Sequence, residues 1–95
     1  MAVQSTASSL YLYSTVGCHL CEQAEMLLQP FLRAGLFHLQ VVEISRDDEL
    51  VRRYGLRIPV LACEGEAGRQ ELGWPFDQTQ VWSWWSQASL MCQGS

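Results

Sequence analysis

The chain contains no lysine, and charged residues of all kinds make up only 17% of its 95 positions. Its six basic residues are all arginines, and with ten acidic residues they give a formal net charge of -4. A protein that binds a phosphate backbone needs a concentrated basic surface to neutralise it. We therefore expect no nucleic-acid partner.

Long apolar runs are also missing. Residues 1–9 carry neither a positive charge nor an apolar stretch, so we expect no secretory signal and no membrane span, here or later in the chain. The expected compartment is the cytoplasm, where disulfide frameworks are rare and cysteine more often serves chemistry.

The chain is rich in apolar residues, which make up 48% of its positions. That content can bury one core, and 95 residues suffice for a single domain over residues 1–95 but not for two. The ends, residues 1–8 and 90–95, are expected to be loose.

Strand and helix signals alternate in the first half of the sequence. Residues 10–13 form a β-prone run that ends at small and polar residues. Apolar residues between positions 20 and 32, starting with Leu20, then recur at helical spacing, with a kink or early break expected at Pro30. Residues 37–44 are typical of a buried strand that a crossover helix connects in parallel.

The second half predicts a short helix up to residue 54, strands at 60–63 and 69–72 joined by a hairpin loop, and a last helix that ends near residue 88. The resulting order, β-α-β-α-β-β-α, indicates an α/β protein with a four-stranded mixed sheet flanked by three helices.

The last helix has a defined start and an aromatic face. Asp77 is a suitable N-cap, and Gln80 stands at the reciprocal position of a capping box. Helical spacing predicts that Trp82 and Trp85 lie in the core and that Trp84 is the exception.

Cys18 and Cys21 form a CxxC motif where the first strand meets the first helix. Unpaired amides and the helix dipole favour a negative charge there, so Cys18 is the expected nucleophilic thiolate and Cys21 the shielded resolving thiol. His19 either adds positive charge beside the thiolate or is a solvated loop residue, and both readings stay open.

Residues 13–24 and 54–61, which contain the CxxC and an Ile-Pro before the third strand, resemble the glutaredoxin-like members of the thioredoxin superfamily. The resemblance implies a thioredoxin-like fold and a thiol–disulfide oxidoreductase that transfers electrons. It also implies that Pro59 is cis and faces the cysteines, and that the backbone of Ile58 receives an extended substrate.

Family members that bind glutathione usually carry a lysine near the end of the first strand and a Gly-Gly pair before the last helix. Here those places hold Ser14-Thr15 and Leu72-Gly73-Trp74-Pro75. Gly73 and Trp74 are retained as candidate substrate-binding residues. Glutathione is left open as a co-substrate, no bound cofactor is expected, and helix capping explains Asp77 better than a ligand does.

A zinc site is not expected, because no second close pair of ligands accompanies the CxxC. Cys63 on a predicted strand is more often a small core residue than a reactive thiol.

Three arginines lie close together in the sequence: Arg52, Arg53 and Arg57. They either steer an anionic thiol toward the site or form a solvated patch.

Two hypotheses follow. In the first, a monomeric oxidoreductase uses Cys18 and Cys21 to exchange disulfides of a protein or a small thiol. In the second, the domain is a non-catalytic binding module that presents the Pro59 loop and Trp74 to a protein partner. The sequence specifies neither the substrate and reductant nor the redox potential.

Overall fold

The computed structural model describes residues 8–65 and 68–92, and its elements follow the predicted order. The strands and helices are β1 (Ser8–Ser14), α1 (His19–Arg33), β2 (Phe37–Glu43), α2 (Asp48–Tyr54), β3 (Val60–Gly65), β4 (Gly68–Gly73) and α3 (Gln78–Cys92). A single 3-10 turn, Ile44–Arg46, connects β2 to α2.

The four strands form one mixed sheet in the order β2-β1-β3-β4. β1 runs parallel to β2 and antiparallel to β3, and β3 pairs antiparallel with β4. Ser14 lies opposite Glu43, while Val60 lies opposite both Tyr13 and Gly73. The ends of β1, β2 and β4 and the start of β3 therefore meet at one end of the sheet, which we call the Ser14 end.

Both faces of the sheet are covered, as the alternation of side chains along β1 requires. Leu10 and Leu12 belong to the core formed with α1 and α3, where Leu28 and Val81 are fully buried. Tyr13 points to the other face and packs with α2. Three helices on a four-stranded mixed sheet give the thioredoxin-like α/β fold that the sequence predicted.

α1 differs from the prediction in two respects. It continues through Pro30 to Arg33, so the break is absent, while a kink, the other outcome expected at Pro30, stays a prediction. Proline removes only the hydrogen bond to the carbonyl four residues back, on Met26, a residue exposed to solvent. Leu20 is also not part of the core, because it stands in the first turn, beyond the end of β1, and is 44% exposed.

β2 is an edge strand and not the buried strand that its apolar run predicted. It has a neighbour on one side only, and Val41 is consequently about half exposed. Ile44, expected to end the strand, is buried in the 3-10 turn that follows it.

The tryptophans of α3 also correct a prediction. Trp82 is 51% exposed, whereas Trp84 packs against the core beside Trp85. The buried stripe begins at Val81, and positions three, four and seven residues later share its face, while the next residue, Trp82, turns away.

Parts of the two ends for which loose structure was predicted fall inside described elements. Ser8 already belongs to β1, and α3 continues to Cys92. The remaining positions of that prediction, residues 1–7 and 93–95, lie outside the described part. None of the described helices combines the length and the apolar character needed to cross a bilayer.

Candidate functional site

Cys18 and Cys21 form a disulfide at the start of α1, with their Cα atoms 5.2 Å apart. Cys18 is the N-cap of the helix and has extended backbone angles, whereas Cys21 lies within the first turn. Gly17 precedes the pair with a φ of +81°, a conformation that favours glycine and lets the chain turn into the helix. The fold therefore places the pair at the junction that the sequence indicated.

The two sulfur atoms have different surroundings. The backbone N–H of Cys21 donates a hydrogen bond to Sγ of Cys18 at 3.1 Å. Cys18 is partly exposed, while Cys21 is only 1% exposed. In the reduced protein, an amide aimed at Sγ and the positive end of the helix dipole would stabilise a thiolate on Cys18.

The loop before Cys18 is tied to the neighbouring strand. The hydroxyl of Thr15 donates a hydrogen bond to Oε2 of Glu43 at 2.6 Å, and the backbone N–H of Ser45 donates to the same oxygen at 3.1 Å. The hydrogen bonds from Thr15 and then from Ser45 lower the pKa of Glu43 from 4.5 to about 2. Glu43 is therefore ionised at any physiological pH.

A cleft of about 250 Å³ opens beside the two cysteines, and the three carboxylates of Glu22, Glu25 and Glu43 contribute to its lining. Our sequence reasoning missed these residues. Glu22 and Glu25 follow Cys18 by four and seven positions, a spacing that puts all three on one helix face. Glu43 is found only through the parallel register that sets it opposite Ser14.

Pro59 lies at the Ser14 end, immediately before β3, and the Ile58–Pro59 bond is cis, as the resemblance implied. Pro59 is buried and Ile58 half-buried. Trp74 donates its backbone N–H to the carbonyl of Pro59 at 3.1 Å, which ties the segment after β4 to the proline. The Trp74–Pro75 bond is also cis, and nothing in the sequence had indicated this.

The fold thus brings the predicted site segments to one end of the sheet: the CxxC, the pair Ile58-Pro59 and the pair Gly73-Trp74. Their roles in substrate binding remain predictions. The side chain of His19 is 92% exposed, and its Nδ1 lies 3.8 Å from Oε1 of Glu22. This exposure agrees with a solvated histidine. The alternative, that His19 adds positive charge beside the thiolate of Cys18, stays a prediction.

Metal ligands are not gathered at the site. Within residues 8–65 and 68–92, no group of three or more His, Cys, Asp or Glu side chains is arranged to hold an ion.

Solved structures share the fold. The X-ray structure of target protein XcR50 from X. campestris is 38% identical, with a TM-score of 0.67 over 82% of this chain and 96% of the other. Protein Ne2328 from Nitrosomonas europaea is 28% identical, with a TM-score of 0.67 over 88% and 98% of the two chains. A malarial protein at 8% identity and a TM-score of 0.66 over 85% and 96% shows the fold alone.

Among curated proteins, none matches the sequence. The model of one family does match it, over residues 9–85, which include the CxxC, the cis proline and about the first half of α3. The chain therefore belongs to the family of the glutaredoxin-like domain (DUF836).

Proposed function

We propose that the protein is a thiol–disulfide oxidoreductase in which Cys18 is the nucleophile and Cys21 the resolving thiol. The observation that carries this proposal is the unequal pair of sulfurs at the start of α1. Cys18 accepts an amide hydrogen bond and is partly exposed, whereas Cys21 is buried one turn further on. This arrangement suits a thiolate that meets substrate and a second thiol that only its partner reaches.

The reaction consists of two exchanges. The thiolate of Cys18 attacks one sulfur of a substrate disulfide, forming a mixed disulfide and releasing the first substrate thiolate. The thiolate of Cys21 then attacks Sγ of Cys18, closing the observed disulfide and releasing the second. Two electrons pass from the dithiol to the substrate, and the released thiols take up the protons. A reducing thiol pool, such as that of the cytoplasm, restores the dithiol.

The segment before β3 is the proposed docking platform. Its chain direction at the Ser14 end would let an extended substrate add beside Ile58. The N–H of Ile58 already donates to the carbonyl of Tyr54 at 3.0 Å, so the carbonyl of Ile58 is the group left to accept a substrate amide. Trp74, held by its bond to Pro59, borders the same platform.

The experiment that tests the proposal is an equilibration of the protein in graded glutathione redox buffers. Peptide mapping would measure the Cys18–Cys21 disulfide and separate it from bonds through Cys63 or Cys92. We expect a midpoint within the range of about −180 to −270 mV that is known for exchangers. If the disulfide forms at no ratio, the exchange mechanism is wrong and the binding-module hypothesis replaces it. A Cys18→Ser variant is the control for the mapping.

A further inference from the structure

The cleft beside the disulfide is acidic. Glu22 and Glu25 reach it from α1, and Glu43 reaches it from the end of β2. Among the described residues, neither an arginine nor a histidine lines it. Carboxylates alone do not identify a binding site. The cleft is a candidate substrate site because the Cys18–Cys21 disulfide also lines it.

The three carboxylates receive little compensating charge within the described part of the chain. Glu43 is held by the neutral donors of Thr15 and Ser45, and its lowered pKa keeps it ionised. Glu22 lies 3.8 Å from Nδ1 of His19, a ring that is charged only when protonated, and no arginine pairs with Glu22 in the described part of the chain. The cleft therefore presents a negative potential to any substrate that approaches Cys18.

The arginines that could have attracted an anionic substrate are engaged elsewhere. Arg52 and Arg53 both pair with Glu49, at 2.6 and 3.8 Å. Arg57 pairs with Glu71 at 3.0 Å, on the other side of the sheet from α1. These pairs agree with the reading of the arginines as a solvated patch, and the steering of a carboxylate-bearing thiol stays a prediction.

Apolar side chains stand beside the acidic ones. Val16, two residues before Cys18, is 85% exposed, and Leu20, two residues after it, is 44% exposed. Val41 lines the cleft from β2 and is also about half exposed. Apolar contact on both sides of the nucleophile suits a polypeptide better than a small polar thiol.

From these observations we infer that the site selects polypeptide disulfides with arginine or lysine beside the half-cystine, and disfavours glutathione disulfide, whose glutathionyl groups each carry two carboxylates. This inference rests on the proposed exchange reaction and adds its substrate class. The chemistry is unchanged, since Cys18 and Cys21 give two electrons to the substrate disulfide and its two thiols are released.

The probes are three disulfides given to the pre-reduced protein: the disulfide dimers of the peptides Gly-Arg-Cys-Arg-Gly and Gly-Glu-Cys-Glu-Gly, and glutathione disulfide. Acid quenching followed by chromatography gives the rate constant for each. At low ionic strength we expect the basic dimer to react about tenfold faster than the acidic one, as attraction in a charged cleft predicts. The ratio should fall toward one at about 0.5 M salt, where screening is nearly complete at short range.

The variant that tests the cause is Glu25→Gln, because Glu25 makes no side-chain ion pair within the described residues. Removing one partly exposed charge should lower the basic-to-acidic rate ratio about two- to fivefold. The matched control is Glu64→Gln, which removes a carboxylate on β3 far from the Ser14 end and should leave the ratio unchanged. A merely structural role for Glu25 would change both rates together and not their ratio.

The outcomes separate this inference from the proposed function. Equal rates for all three disulfides, or a faster reaction with the acidic probes, would overturn the substrate class while leaving the exchange reaction intact. A preference that survives in Glu25→Gln and at high salt would overturn its electrostatic cause. Cystamine, a small cationic disulfide, tests whether the site prefers a polypeptide. If cystamine reacts as fast as the basic peptide dimer, the inferred preference for polypeptides is wrong. Failure to react with any disulfide would count against the proposed function itself.

Discussion

Thr15 and Glu43 lie 28 residues apart in sequence, yet the hydroxyl of Thr15 donates to Oε2 of Glu43 at 2.6 Å. The contact exists because β1 and β2 are parallel, so that Ser14 and Glu43 end their strands side by side. The loop that leads into the CxxC is thus held by a carboxylate on a different strand, and the same carboxylate contributes to the charge of the cleft.

Glu43→Gln should reduce the dependence of stability on pH in acid. The folded-state pKa of Glu43 is lowered from 4.5 to about 2, so its stabilising effect is complete above pH 4.5 and is lost as the pH falls toward 2. Urea unfolding at several pH values should therefore show a wild-type advantage over the variant that shrinks across this window. Thr15→Val keeps the carboxylate of Glu43 but removes the hydroxyl that donates to it, so the stability of this variant should depend less on pH than that of the wild type. If the difference in unfolding free energy between wild type and variant does not change with pH, the lowered pKa of Glu43 is not what stabilises the fold.

Cys21→Ser should accumulate a mixed disulfide with substrate on Cys18. Without Cys21 nothing closes the intramolecular bond, and the first exchange product persists. Intact mass after reaction with the basic peptide dimer should show one added peptide, which tryptic mapping places at Cys18. Cys18→Ser is the control and should add none at that position. Trapping on Cys21 in the control would mean that the two roles are reversed.

A partly buried polar network joins β1, α2 and β4 on the face opposite α1. Tyr13 and Tyr54 stack with ring centroids 4.3 Å apart. The hydroxyl of Tyr54 donates to Glu71 at 2.5 Å and accepts a hydrogen bond from Nε of Arg69 at 3.1 Å. Burial, followed by the hydrogen bond to Glu71, raises the pKa of Tyr54 above its ordinary value. Arg69 also hydrogen-bonds to the hydroxyl of Tyr13.

Tyr54→Phe should lower the free energy of unfolding by about 1 to 3 kcal/mol, because it removes the hydrogen bonds between the hydroxyl and two charged groups, Glu71 and Arg69, which keep only their other partners. The ring and its stacking on Tyr13 are retained, so the loss reports on the hydroxyl. Chemical denaturation gives the value. Tyr11→Phe is the matched control, since no hydrogen bond of the Tyr11 hydroxyl is seen among the described residues. Equal losses in the two variants would contradict the role of the network.

Asp77→Ala should destabilise the protein by about 1 kcal/mol through loss of a helix cap. The N–H of Gln80 donates to Oδ1 of Asp77 at 2.8 Å, and Oε1 of Gln80 accepts from the N–H of Asp77 at 2.9 Å. Thermal unfolding would measure the loss, and Asp77→Ser, which keeps a capping oxygen, should recover most of it. A change in the rate with glutathione disulfide at unchanged stability would instead favour the ligand reading of Asp77.

The sequence predicted the features that depend on local pattern. Element order, the position of Cys18 where the first strand meets the first helix, and the capping box at Asp77 all follow from residues close together in the chain, and the structure confirms them. The register of distant strands has no such local signal. For that reason the position of Glu43 beside the cysteine loop and the edge position of β2, with Val41 exposed, were not predicted.

Trp82 and Trp85, which helical spacing had both placed in the core, test how α3 packs against the sheet. Trp85 packs against the core and contacts Phe37 with ring centroids 5.9 Å apart, whereas Trp82 is about half exposed. Trp85→Ala should therefore cost about 3 to 5 kcal/mol of unfolding free energy, the loss typical of removing a large core ring. Trp82→Ala should cost about 1 kcal/mol, mainly through its ring contact with Trp85. Urea denaturation of both variants measures the difference, and a larger loss for Trp82 would mean that α3 is rotated relative to the sheet.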